Sequence, residues 1–274
     1  MMKKIPILPT LVTLGNAFFG FLSIGFVLKA QQVFADPLLF ARYMGWAGWC
    51  ILFAMIFDAL DGKVARLANA TSDFGTQLDS LCDLISFGVA PAVIIKTLAM
   101  QQGQWERVGW AASILFVLCA AMRLARFNVE TRPDEESHRY FNGLPSPAAA
   151  GFVASMTILV HALRGMDEPE FKGLAGTLEP VMDWLLYAMP LVGVVLAILM
   201  ISRVRYVHVI NNWLRGQEPL DYMVKVIMVA LVAVLAQPFS LPLLLGIYIL
   251  TGIISWMKEG FTTHAPRILG PGEE

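Results

Sequence analysis

The sequence predicts an all-α integral membrane protein with eight membrane-spanning helices. Of its 274 residues, 57% are hydrophobic and only 15% are charged, whereas soluble domains carry about 25% charged residues. The mean hydropathy is +0.64. The apolar residues also fall into separate runs, several of which approach the roughly 20 residues that a helix needs to cross a bilayer.

The predicted spans follow one another with short polar connections. The first comes after a short basic lead with Lys3 and Lys4, and it is longer than the apolar core of about 7 to 15 residues in a signal peptide. Residues 165–183 are predicted to form an acidic loop. The predicted spans are residues 11–28, 43–57, 79–100, 110–128, 148–163, 184–201, 224–237 and 241–257.

Composition excludes several other classes of protein. The net charge is −1, and no basic patch is interleaved with aromatic residues as nucleic-acid binding would require. The three cysteines have no C-x-x-C spacing, so neither a disulfide nor a zinc site is predicted. Most lysines and arginines fall on the side of the predicted spans that carries both termini. Because cytoplasmic loops are enriched in these residues, we expect both termini in the cytoplasm.

Four aspartates form the most informative pattern, and they lie where the second and third spans approach each other. Asp58 and Asp61 are three residues apart, and Asp79 and Asp83 are four residues apart. Such spacings place side chains on one face of a helix. Four carboxylates on neighbouring helices would repel each other without a cation, and hard divalent ions prefer oxygen ligands. The pattern therefore predicts a divalent-cation site.

Other residues of the same stretch suit phosphate chemistry. Gly62 and Gly75 leave the backbone open to a ligand, and Arg66 offers a charged fork that matches phosphate. The alternative is that the aspartates only cap two helices at the membrane surface. An aspartate at the centre of a spanning helix costs about 2.5 to 3.5 kcal/mol, so such residues usually mark function.

The segment DALDGKVARLANATSDFGTQLDSLCD resembles the motif D-x2-D-G-x2-A-R-x8-G-x3-D-x3-D of the CDP-alcohol phosphatidyltransferase family, with every fixed position present. The resemblance implies a six-helix transmembrane core at residues 1–206. Residues 207–274 then form a C-terminal transmembrane hairpin and a short tail. The resemblance also implies a homodimer and two divalent cations, Mg²⁺ or Mn²⁺, at the aspartate site.

The resemblance further assigns roles to individual residues. The first three aspartates of the motif supply most metal ligands, and Asp83 contacts one ion and accepts the proton from the acceptor alcohol. The expected metal ligands are Asp58, Asp61, Asp79 and Asp83. The expected contacts to CDP-diacylglycerol are Thr10, Thr13, Gly62, Ala65, Arg66, Ser72 and Gly75.

Residues 124–129, 141–150 and 199–206 resemble the phosphatidylserine synthase branch of the family. This implies transfer of the phosphatidyl group from CDP-diacylglycerol to L-serine, in a single displacement that releases CMP. Candidates for the serine carboxylate are Arg123, Arg126 and Asn128. These residues could instead be membrane-surface anchors.

Three other functions stay open at this point. The acceptor could be glycerol 3-phosphate, inositol phosphate or choline, although an acceptor with its own phosphate should require a further basic pocket. An ion-coupled transporter also carries acids within its spans. A non-catalytic lipid-binding protein is the third possibility, but it would not need all four aspartates.

Overall fold

The fold is known from a computed structural model. It describes residues 7–67, 72–101, 103, 105–130, 140–165, 169–202, 204–207 and 239–262. Apart from two short strands, the regular structure in these ranges is helical. The helices are α1 (Ile7–Gln31), α2 (Pro37–Leu67), α3 (Asp73–Asp83), a π-helix (Leu84–Val89), α4 (Ala90–Gln101), α5 (Glu106–Glu130), α6 (Ser146–Arg164), α7 (Pro169–Ile201) and α8 (Ser240–Thr262).

Six of the described helical segments are long and apolar enough to cross a membrane, which confirms an all-α, multi-pass integral membrane protein. They are Pro9–Gln31, Pro37–Gly62, Phe74–Gln101, Glu106–Val129, Ser146–Arg164 and Asp183–Ile201. The seventh predicted span, 224–237, lies outside the described residues. The eighth falls on α8, whose apolar part Ser240–Ile254 is shorter than the six spans. The count of eight spans and the boundary at 206/207 therefore stay predictions.

Several predicted boundaries were wrong because hydropathy detects the apolar part of a helix and not its ends. The acidic stretch 165–183 is not a loop, since α7 already begins at Pro169. Acidic residues outside the bilayer are compatible with helical structure, so α7 extends beyond its apolar span. The third span begins at Phe74 and the second continues to Gly62. Asp58, Asp61, Asp79 and Asp83 therefore all lie within the spanning segments.

Small residues let the helices around the site approach closely. α1 packs along α2, and α2 packs in turn on α6. A Cβ atom at Gly20 would lie 2.7 Å from the Cα atom of Ser86. At Gly48 it would lie 2.6 Å from the carbonyl oxygen of Ala154. Glycine at these two positions therefore allows direct contact between backbones, as is common among membrane helices.

The π-helix follows Asp83 without a break, and Ser86, Phe87 and Gly88 within it are buried. The Ser86 hydroxyl donates a hydrogen bond of 2.9 Å to the carbonyl oxygen of Asn16 in α1. Short π-helical segments are rare and often occur at functional sites. Here the segment fixes the end of α3 against the first helix.

Two short antiparallel strands, β1 (Tyr140–Asn142) and β2 (Arg205–Val207), connect distant parts of the chain. Gly143 follows β1 with a positive φ of 88°, and its N–H donates to the carbonyl of Val204 at 2.8 Å. A Cβ atom there would collide with the carbonyl oxygen of Met200. The ladder brings together residues 141–150 and 199–206, two of the three segments that resemble the phosphatidylserine synthase branch.

Candidate active site

The ends of α2 and α3 bring three of the four aspartates together. Asp58, Asp61 and Asp79 each offer a carboxylate oxygen, and these three oxygens lie within 4.8 Å of one another. The helical spacing explains the arrangement, because positions three residues apart on α2 present their side chains to the same neighbour. We refer to these three residues as the aspartate cluster.

The aspartate cluster fits a hard divalent cation. Asp61 is only 7% exposed. Among the described residues, Asp61 Oδ2 and Asp79 Oδ1 are buried and have no hydrogen-bond partner. Buried carboxylate oxygens without partners are costly unless a cation or a donor reaches them. Carboxylate oxygens are the ligands that Mg²⁺ and Mn²⁺ prefer.

Asp83 lies within hydrogen-bond reach of Asp58 and has a second partner on α1. Its Oδ1 accepts a hydrogen bond of 2.8 Å from Nδ2 of Asn16, a residue of α1 with no exposed surface. The amide is oriented by chemistry, because a carboxylate oxygen can only accept from the NH₂ group. The Ser86 hydroxyl bonds the backbone of the same asparagine, so the π-helix and α1 together fix Asp83.

The sequence places Asn16 in a first-helix segment that resembles the one lining the nucleotide site of the family, but it gives Asn16 no role and does not pair it with Asp83. The available signal was a fully polar side chain one turn after Thr13 in a strongly apolar helix, which is costly in a membrane unless the side chain has a partner. Ser86 was also missed, since a serine in a spanning helix commonly bonds its own backbone. Only the tertiary structure shows that it bonds another helix.

Some of the residues expected to contact CDP-diacylglycerol lie around the aspartate cluster. Thr13 lies beside Asp61, and its hydroxyl donates to the carbonyl of Pro9 at 3.1 Å. The side chain is also within hydrogen-bond reach of Asp61, so Thr13 belongs to the surroundings of the aspartate cluster. Thr10 lies three residues earlier on α1. Gly62 directly follows Asp61 in α2.

The other residues expected to contact CDP-diacylglycerol lie where α2 ends and α3 begins. Ala65 and Arg66 belong to the last turn of α2, and their side chains lie outside the described part of the chain. Ser72 is the N-cap of α3, where its hydroxyl oxygen accepts the N–H of Gly75 at 3.1 Å. A capping role therefore explains Ser72 without any substrate.

The candidates for the serine carboxylate lie on α5 and have different surroundings. Arg123 donates through Nη1 to Ser146 Oγ at 3.2 Å, while its Nε is buried and has no partner among the described groups. Its charge is close enough to Asp83 for the two to attract each other. Asn128 donates to Ser80 Oγ at 2.8 Å and so ties α5 to α3. Arg126 is partly buried on the same helix.

Comparison with known proteins identifies the family. A sequence model described as CDP-alcohol phosphatidyltransferase matches residues 6–199. The CDP-diacylglycerol–serine O-phosphatidyltransferase of Helicobacter pylori (strain J99) is 34% identical over 253 residues, covering 91% of this chain and 90% of the relative. The protein of the same name from Saccharomyces cerevisiae is 42% identical over 157 residues, covering 55% of this chain and 53% of the relative. The six spans and the spacing of the aspartates agree with this match, and the chain belongs to the CDP-alcohol phosphatidyltransferase family.

Proposed function

We propose that the protein transfers the phosphatidyl group from CDP-diacylglycerol to L-serine, giving phosphatidylserine and CMP. The observation that carries the proposal is the arrangement of Asp83 next to the aspartate cluster, with its own donor from α1. The choice of serine rests on the names of the relatives, one of which aligns with 91% of this chain.

Two divalent cations, Mg²⁺ or Mn²⁺, are proposed as cofactors. Asp58, Asp61 and Asp79 would hold them, with Asp83 able to contact one. Bound there, they would hold the diphosphate and stabilise negative charge on the attacked phosphorus and the departing CMP. Support comes from the buried oxygens of Asp61 and Asp79 that have no partner among the described residues.

Asp83 is proposed as the base of the reaction. It takes the proton of the serine hydroxyl while that oxygen forms its bond to the β-phosphorus of CDP-diacylglycerol, and the bond from this phosphorus to the oxygen of CMP breaks. Asn16 holds one carboxylate oxygen of Asp83 at 2.8 Å, so the orientation of the base is fixed before substrate arrives. No covalent enzyme intermediate is needed.

The substrate contacts remain proposals that follow the family motif. The nucleotide diphosphate is proposed to meet Thr10, Thr13, Gly62, Ala65, Arg66, Ser72 and Gly75. For the serine carboxylate, Arg123 is the best-placed of the three candidates. It lies near Asp83 and has a buried donor without a partner among the described residues. Arg126 and Asn128 would then complete or border the acceptor pocket.

Orientation and assembly are proposed from the sequence. We place the site and both termini in the cytoplasm, because the side that carries them holds most of the lysines and arginines. A homodimer and the division into a core at 1–206 and a hairpin at 207–274 follow from the family resemblance. Accessibility of single introduced cysteines would test the orientation, and the mass of the detergent-solubilised protein would test the dimer.

The test of function is an acceptor panel. The purified full chain is supplied with CDP-diacylglycerol and Mg²⁺ or Mn²⁺, and CMP release is measured with L-serine, glycerol 3-phosphate, inositol phosphate or choline. We expect release with serine and formation of phosphatidylserine. CMP release with another alcohol, but not with L-serine, would reject serine as the acceptor. Ion flux in liposomes without any CMP release would indicate a transporter instead.

A further inference from the structure

A groove of about 380 Å³ lies between α1, α4 and α5, away from the aspartate cluster. Its wall is mostly apolar and includes Leu28, Val93 and Ile114. Ile114 is 53% exposed and Leu28 is 50% exposed. Because these helices cross the membrane, the exposed side of the groove faces the bilayer.

The polar end of the groove lies near the opposite membrane surface from the aspartate cluster. Lys96 lines this end and follows Asp83 by 13 positions in the same spanning segment. At 1.5 Å per residue this is about 20 Å, most of the way across a hydrocarbon core of about 30 Å. A hydrogen bond of 2.7 Å from Gln31 to Thr97 joins α1 and α4 at the same level.

Lys96 is a cation that no described carboxylate neutralises. Its Nζ lies 4.9 Å from the ring centroid of Trp110, and in the described ranges it has no salt bridge. The contact with the ring stabilises the charge but satisfies no N–H donor, and an ammonium group has three. Gln31, the polar neighbour, donates through its NH₂ group to Thr97, and no hydrogen bond from Lys96 to Gln31 is found among the described residues. The groove therefore combines an available cation with an apolar wall.

We propose that this groove binds one anionic phospholipid of the leaflet opposite to the aspartate cluster. The lipid phosphate accepts hydrogen bonds from Lys96 beside Trp110. One acyl chain lies along the apolar wall towards Val89, which lines the groove and is the last residue of the π-helix. The bound lipid thus reaches the segment that fixes Asp83, although the site itself is separate from the reaction centre.

The proposal is tested with the full chain in detergent by native mass spectrometry, with dioleoyl phosphatidylglycerol or dioleoyl phosphatidylcholine added. The wild type should bind one phosphatidylglycerol in preference to phosphatidylcholine. Lys96→Gln should weaken phosphatidylglycerol binding by about fivefold, the effect of one lysine near a charged membrane surface. Lys29→Gln is the matched control, since Lys29 is exposed near the end of α1 and does not line the groove.

A second variant tests the acyl chain separately. Ile114→Trp fills the groove from its exposed side and should abolish retention of the lipid. Ala111→Trp, exposed on α5 outside the groove wall, should not. CMP release by each variant checks folding. Equal binding by the two lysine variants would overturn the proposal. Retention of the lipid by the Ile114→Trp variant would also overturn it. The same holds if this substitution changes only the ratio of monomer to dimer, because a second copy of the chain would then cover the groove.

Discussion

Replacing Asn16 by leucine should lower the rate of transfer without weakening the binding of CDP-diacylglycerol. Leucine is similar in size, so the buried position stays filled, but it cannot donate to Asp83. Hydrogen bonds to charged groups contribute about 1.5 to 3 kcal/mol. If the bond of 2.8 Å stabilises the reactive orientation of Asp83, its loss should reduce kcat by roughly 10- to 150-fold.

The split between kcat and KM is the decisive measurement. The aspartate cluster does not include Asn16, so KM for CDP-diacylglycerol and the apparent affinity for Mg²⁺ should stay close to wild type. Steady-state CMP release over a range of CDP-diacylglycerol and Mg²⁺ concentrations gives both quantities. A parallel rise of KM and fall of kcat would place Asn16 in substrate binding.

Ser23→Ala is the matched control. Ser23 lies on the same helix, is fully buried, and donates to the carbonyl of Ala47 at 2.8 Å. Its replacement removes one buried hydrogen bond of α1 that does not involve Asp83. We expect Ser23→Ala to lower Tm while kcat changes little. If both variants lose kcat equally, or if Asn16→Leu keeps wild-type kcat, the positioning role of Asn16 is refuted.

Four further predictions address other parts of the site. Asp83→Asn should abolish transfer but keep metal-dependent CMP binding by calorimetry, and near-normal turnover would remove Asp83 as the base. Asp58→Ala should weaken Mg²⁺ and CDP-diacylglycerol binding together, and unchanged metal-dependent binding would contradict the placement of the metal. Arg123→Lys should raise KM for serine about tenfold through loss of the two-pronged contact with the serine carboxylate; no change would leave Arg126 as the next candidate for the carboxylate ligand. Gly20→Ala should destabilise the protein by about 1 to 3 kcal/mol through overpacking against the π-helix, and an unchanged Tm in thermal unfolding would contradict that.

Hydropathy and helical spacing predicted the parts of the structure that depend on local sequence. Six apolar runs became spanning segments, because a bilayer requires backbone hydrogen bonds to be satisfied within each helix. The shared face of Asp58 and Asp61 also followed from local spacing, whereas the approach of Asp79 depends on how α3 packs against α2. The helix ends were less predictable, as with α7, because polar residues outside the membrane can continue a helix without any change in hydropathy.

The tertiary contacts could not be predicted in the same way. Asn16 and Asp83 are 67 positions apart in the sequence, and no local pattern pairs them. The π-helix has no simple compositional signature, and its Ser86 points to α1 only because Gly20 allows the two backbones to touch. Arg123 and Arg126 have equivalent sequence contexts, and only helix packing places Arg123 near Asp83.

The hydrogen-bond partners of the aspartates suggest a division of labour that their spacing in the motif does not. Asp61 and Asp79 each keep a buried oxygen without a partner among the described residues, as a cation ligand needs open lone pairs. Asp83 has one oxygen bound by a neutral amide donor. Such a donor orients the carboxylate without bringing a positive charge to it. Asn16 therefore distinguishes the proposed base from the proposed metal ligands, although all four residues are chemically identical and lie within one motif.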